Sequence, residues 1–134
     1  MYDTISFNSE YMCVREITQE VKDIVAKSGV KSGLCVVFNP HTTASVGITS
    51  FWDKRGHEDI QDEFDRLFPL KVNYNHVETP YDAAGHVKSA IMGLDLNLII
   101  ENGELELGSS QGIFFFEFDG PRPREVYVKC FAEK

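Results

Sequence analysis

Leu34-Cys35-Val36-Val37-Phe38-Asn39-Pro40-His41-Thr42-Thr43-Ala44 decides how the rest of the chain is read. Five consecutive apolar residues, preceded by Gly33 and stopped by Asn39-Pro40, fit a core strand covered on both faces, since such a strand buries every side chain. His41 then falls where that strand meets a turn, on backbone rigid enough to fix an imidazole and close enough to the surface to present it to a cleft. The two hydroxyls after it add hydrogen-bonding capacity. A plainer reading stays open: His41 as a boundary histidine bonded to a nearby carbonyl, with Thr42 and Thr43 as ordinary strand formers.

Working outward, Thr43 to Thr49 alternates loosely and is expected to return as the partner of the central strand. Upstream, Thr4 to Phe7 and Tyr11 to Ile17 are strand-like runs on either side of Asn8-Ser9-Glu10, which suggests an opening hairpin. Thr18 is the expected cap of a helix carrying Val21, Ile24 and Val25, with Gly29 as its left-handed stop. Downstream, Ile60, Phe64, Leu67 and Phe68 recur at helical spacing before Pro69, and Glu58, Asp59, Asp62, Glu63 and Asp65 read as a solvated face. Asp82 is expected to cap a third helix that contains His86, Val87, Ala90 and Ile91 and stops at Gly93. Asn102-Gly103 between alternating apolar residues predicts a tight hairpin, and Gly112 to Phe118 and Glu125 to Phe131 supply two more strands. Strands dominate and helices interrupt them unevenly, which predicts an α+β fold with a mixed, largely antiparallel sheet and about three helices.

At 134 residues with 43% hydrophobic content, the chain has room for one domain spanning 1–134 and no second. The burst Phe114, Phe115, Phe116 and Phe118 requires a strand covered on both faces, either within the chain or against a neighbouring subunit. A net charge of −8 with scattered Lys and Arg lacks the basic footprint that nucleic acid demands. Cys13, Cys35 and Cys130 are odd in number and sit in apolar runs, as core thiols do in a reducing compartment. Cys35, nearest to His41 in sequence, reads as inert among its apolar neighbours. No apolar stretch has the length to span a bilayer and Met1-Tyr2-Asp3-Thr4 has no secretory pattern, so the expectation is a cytoplasmic protein without a membrane.

Of the four histidines, His57 lies in the charged entry to the second helix and is expected to be exposed. His41, His76 and His86 each adjoin a turn or a helix start, and three imidazoles from separate elements form a ligand set for an open zinc-type site when folding brings them together. Spacing alone leaves convergence undecided, because no HxxxH or HxxH puts two of them on one helical face.

His41-Thr42-Thr43-Ala44, Tyr74-Asn75-His76, His86-Val87-Lys88-Ser89 with Gly93, Gly103 through Leu107-Gly108 to Gln111, and Asp119-Gly120-Pro121-Arg122 with Arg124 occur in an order and spacing that resemble the YjbQ-like family, often labelled secondary thiamine-phosphate synthases. The resemblance runs from about Gly33 to the end of the chain. It implies a compact α+β homotrimer with a pocket at or near the subunit contact, where His41, His76 and His86 face one another as catalytic residues or as ligands of a divalent metal, zinc foremost. The reaction it implies joins a hydroxymethylpyrimidine diphosphate to a thiazole phosphate with loss of pyrophosphate. Thr42, Thr43, Ser89, Gln111, Arg122 and Arg124 are the residues expected to hold such a phosphorylated small molecule, the arginines by forked hydrogen bonds. Arg122 and Arg124 have an alternative reading as turn residues paired with carboxylates. The chain departs from the family pattern at Thr49-Ser50, where Asn-Glu is usual, and at Ser109-Ser110, where Thr-Trp precedes Gln. These departures favour the alternative function, a small-molecule- or metal-binding homotrimer without robust catalysis.

Overall fold

Backbone hydrogen bonds divide the strands between two sheets. The structure is a computed structural model that describes residues 1–70 and 83–134 in full and the helical backbone of 80–82. In chain order its elements are β1 (Asp3–Asn8), β2 (Val14–Glu16), α1 (Thr18–Ser28), β3 (Gly33–Phe38), β4 (Ala44–Ser50), α2 (Lys54–Leu67), α3 (Pro80–Met92), β5 (Asp95–Glu101), β6 (Glu104–Leu105), β7 (Gln111–Glu117) and β8 (Pro123–Ala132). One sheet has the order β1-β8-β3-β5-β6 and the other the order β2-β7-β4, and every pairing is antiparallel. The fold is α+β with three helices among the described residues. None of these helices is long and apolar enough to cross a membrane.

Between the sheets lies the main core. Ile17, Val21 and Val25 of α1 and its N-cap meet Cys35 and Val37 of β3, Val46 of β4, Ile113 and Phe115 of β7, and Val126 and Val128 of β8. On the far side of the smaller sheet, Phe114, Phe116 and Phe118 form a second cluster with Ile60 and Phe64 of α2 and Met92 of α3. The phenylalanine burst thus buries both faces of β7 within one chain, each fully covered ring contributing about 2–3 kcal/mol.

Local chemistry accounts for several boundaries. Asn102 and Gly103 both take positive φ, 53° and 79°, as a two-residue turn between β5 and β6 requires. Asp53 caps α2, its carboxylate accepting from Arg55 N at 2.9 Å, and Gly29 ends α1 at a φ of 73°. Gly33 permits a close approach of β3 to β8, since a Cβ there would lie 1.8 Å from Phe131 O.

Several sequence expectations are corrected. The run 34–38 is covered on one face only: Cys35 and Val37 are buried, whereas Leu34 and Phe38 remain 47% and 40% exposed on an outer sheet face over which the described residues lay no further layer. Residues 44–50 do not return beside β3 but pair with β7 in the other sheet, and β1 and β2 likewise part company, so no opening hairpin forms. Thr18 does not cap α1. Its hydroxyl accepts from Ile113 N at 2.8 Å and donates to Glu16 at 2.7 Å, tying the helix start to β7. Asp82 lies inside α3, which begins at Pro80, a residue suited to a first turn because its missing N–H is not needed there.

Candidate functional site

The turn that carries the chain from β3 to β4 is shaped by Asn39. Its buried side chain donates to Ala44 O at 2.7 Å and accepts from His41 N at 3.0 Å, while its own N–H reaches Leu94 O at 2.7 Å. An asparagine that bonds the backbone two residues on forces a turn of this kind, and here it also crosses the mouth of the loop. His41 is therefore presented by backbone held at both ends.

The His41 ring takes the place of a missing strand neighbour. The β3–β8 ladder ends at the pair Phe38 and Tyr127, but β8 continues to Pro123. Glu125 N–H, beyond the end of β3, donates to His41 Nε2 at 2.9 Å. The ring does bond nearby backbone, though to an amide and not to the expected carbonyl. Burial, and next the positive charge of Arg124, hold the His41 pKa below its ordinary value.

Beneath the cleft lies a buried ion pair. Arg124, 4% exposed, donates through Nε to Glu117 Oε1 at 2.7 Å and through Nη2 to Glu117 Oε2, and a further bond reaches Thr43 Oγ1 at 2.9 Å. Glu117 is fully covered and also accepts from Ser9 Oγ and from Asp119 N at 3.1 Å. One carboxylate thus ties the loop after β1 to β7 and β8, with four donors satisfying its two oxygens.

Arg122 differs. Its side chain is 48% exposed and meets Asp119 Oδ2 through Nε at 2.8 Å and through Nη2 at 2.8 Å. His86, in the second turn of α3, approaches from the other wall. Gly85 allows that approach, since a Cβ there would stand 3.2 Å from Phe118 O and 3.3 Å from Thr43. Pro40, His41, Thr42, Thr43, His86, Arg122 and Arg124 line one cleft of about 290 Å³.

Of the residues expected in a site, the fold therefore brings together His41, Thr42, Thr43, His86, Arg122 and Arg124. Ser89 is not among those lining the cleft: it is buried, its hydroxyl donates to Ala44 O at 2.6 Å, and its role is to pin α3 to β4. Gln111 caps a turn by accepting from Gly108 N at 2.8 Å, and it stands at the opposite end of β7 from Glu117, roughly 20 Å away at ~3.4 Å per residue. His76 lies outside the described residues. Among the described residues, no group of three or more His, Cys, Asp or Glu side chains is placed to hold a metal ion.

His57 is not exposed. It is 9% accessible, donates to Ser50 O at 2.6 Å and packs its ring 4.4 Å from that of Phe114. It flanks a larger groove of about 730 Å³ between α2 and β2, which contains none of the expected site residues. Sequence reasoning missed Asn39, Glu117 and Lys88. Glu117 carried a signal, because a carboxylate adjoining Phe114-Phe115-Phe116 on a doubly covered strand needs a buried cation. Lys88, completely covered, pairs with Asp65 of α2, so the acidic face of that helix is not wholly solvated.

A sequence model described as UPF0047 protein YjbQ-like matches residues 3–133. The UPF0047 protein of Methanocaldococcus jannaschii is 41% identical over 119 residues, covering 89% of this chain and 85% of its own length. UPF0047 protein YugU of Bacillus subtilis is 39% identical over 115 residues, 85% of this chain and 86% of its own. Among solved structures, an uncharacterized conserved protein of the same family from Clostridium acetobutylicum superposes with a TM-score of 0.92 at 42% identity, over 96% of this chain and 99% of its own. A protein of unknown function from Sulfolobus solfataricus superposes at 0.94 with 28% identity, over 99% and 97%.

Proposed function

From the premise that this chain belongs to the UPF0047 protein YjbQ-like family, we propose that the cleft at His41 binds a phosphorylated small molecule. The observation that carries this reading is the convergence of His41, Thr42, His86 and Arg122, from three separate parts of the chain, on one small polar opening. A guanidinium offers paired N–H groups to phosphoryl oxygens, and a hydroxyl adds another donor.

The finer proposal is the reaction that the resemblance implies, secondary thiamine-phosphate synthesis in the cytoplasm. In that reaction the thiazole nitrogen displaces pyrophosphate from the pyrimidine methylene, and the departing negative charge is what Arg122 neutralises. A second reading, a small-molecule- or metal-binding homotrimer without robust catalysis, is supported by the engagement of Arg124 with Glu117, which leaves Arg122 as the better-exposed arginine of the cleft. Incubation with the pyrimidine diphosphate and the thiazole phosphate separates them: thiamine phosphate formed by the wild type and lost in Arg122→Ala supports the synthase, and no product above buffer defeats it.

We also propose that the chain assembles as a homotrimer. Because the phenylalanine burst is covered within the chain, support comes instead from the outer face of the larger sheet, where Leu34, Phe38, Ile99 and Phe131 are 47%, 40%, 55% and 47% exposed. Sedimentation at micromolar concentration that finds only a 15.2 kDa species would remove this proposal.

A further inference from the structure

We infer that His41 enters the cleft as a hydrogen-bond donor through Nδ1, taking an oxyanion of the ligand and not a metal ion. The identity of the anion rests on the phosphoryl reading above; the donor role rests on geometry alone. A backbone amide has a proton to give and no lone pair to offer, so the 2.9 Å contact between Glu125 N and His41 Nε2 has one polarity. Nε2 accepts. A neutral imidazole whose Nε2 accepts carries its proton on Nδ1, and a doubly protonated ring has no place for the amide at all.

Both ends of that contact are braced. Glu125 sits in β8 between Arg124, which is locked onto Glu117, and the buried Val126, and on its other side β8 pairs with β1 through Ser6. His41 is held by Asn39 through its own backbone N–H. The ring closes the β8 ladder where β3 has ended, so turning Nε2 toward the cleft would leave Glu125 N–H without its acceptor. Among the described residues none accepts from Nδ1, and His41 lines the cleft beside Thr42 and Arg122, two further donors.

Zinc requires a bare lone pair from each imidazole that ligates it. For His41 to supply one, it must either lose the Nδ1 proton or release the Glu125 amide. The ring as held does not fit a zinc ligand, and no step of the proposed reaction is routed through a metal. An oxyanion has the opposite requirement and meets it at Nδ1–H.

The test reads the ring nitrogens directly. Long-range proton–nitrogen spectra of the full chain labelled with 15N-histidine, with His41 assigned by comparison with His41→Ala, report which nitrogen is protonated. The expected result is a protonated Nδ1 and a bare Nε2, unchanged by one equivalent of Zn²⁺ and with Nδ1 shifted by saturating inorganic pyrophosphate. An Nε2-protonated ring, or displacement of the His41 nitrogens by Zn²⁺, would overturn the inference while leaving a phosphoryl ligand possible through other groups. A ring with the expected tautomer that responds to neither zinc nor pyrophosphate would sink the phosphoryl reading, and the ligand assigned to His41 with it.

Discussion

Arg122 and Arg124 stand two residues apart and each faces a carboxylate, yet they belong to different parts of the molecule. Arg124 is 4% exposed and joined to Glu117 and Thr43; the Arg122 side chain is 48% exposed and meets Asp119 at the lip of the cleft. The first pair is architecture. Its charges are removed from water and satisfied by each other, so breaking it strands a buried ion. The second sits at the lip of the cleft, where water reaches the guanidinium and the proposed ligand would meet it. Exposure, not residue type, separates a structural arginine from one that a ligand could reach.

Unfolding measurements should show the largest contrast between the two arginines. Arg124→Ala leaves Glu117 buried without its partner and is expected to lower stability by ~3–5 kcal/mol, whereas Arg122→Ala, at a half-exposed pair, should cost no more than ~1 kcal/mol. Similar losses in urea or thermal unfolding would erase the distinction.

A smaller effect concerns pH. The folded-state pKa of His41 lies below the ordinary 6.5, so on acidification the unfolded chain binds its proton first. The contribution is therefore present above pH 6.5 and lost as pH falls through the depressed value. Melting temperature followed from pH 7.5 down to 5 should fall more steeply for the wild type than for His41→Ala; parallel slopes would show that the ring is not held neutral.

Smallest of all is the effect expected at Gln111, whose side chain serves a turn far from the cleft. Gln111→Ala should change stability by no more than ~0.5 kcal/mol and leave ligand affinity unaltered. A marked loss of affinity would bring that end of β7 to the ligand, as a neighbouring subunit would do.

Local features were the legible ones. Asn102-Gly103 states its own turn, the spacing of Val21, Ile24 and Val25 states a helix face, and the phenylalanine burst states a strand covered twice. Partnership between distant strands was not legible. Asn39-Pro40 announces a turn, but not that the chain leaves β3 for the other sheet, where β4 pairs with β7 while the Asn39 amide reaches Ala44 O. His57 illustrates a signal present but outweighed: it falls on the same helical stripe as Gln61 and Phe64, and the charges around it suggested exposure instead. In the cleft, motif resemblance named His41, Thr43, His86 and Arg122, and these four line one opening. It could not reveal that the Ser89 hydroxyl is taken up by Ala44 O, because that contact depends on how α3 packs on β4 and no local spacing states it.

If the proposed phosphorylated ligand is held at all, the cleft, and not the buried pair beneath it, must hold it. Calorimetric titration of inorganic pyrophosphate into the wild type, His41→Ala and Arg122→Ala tests this most directly. Saturable binding by the wild type, weakened roughly tenfold or more in each variant while both still unfold cooperatively, is the predicted result. Equal affinity in all three proteins, or no binding by any, would contradict it.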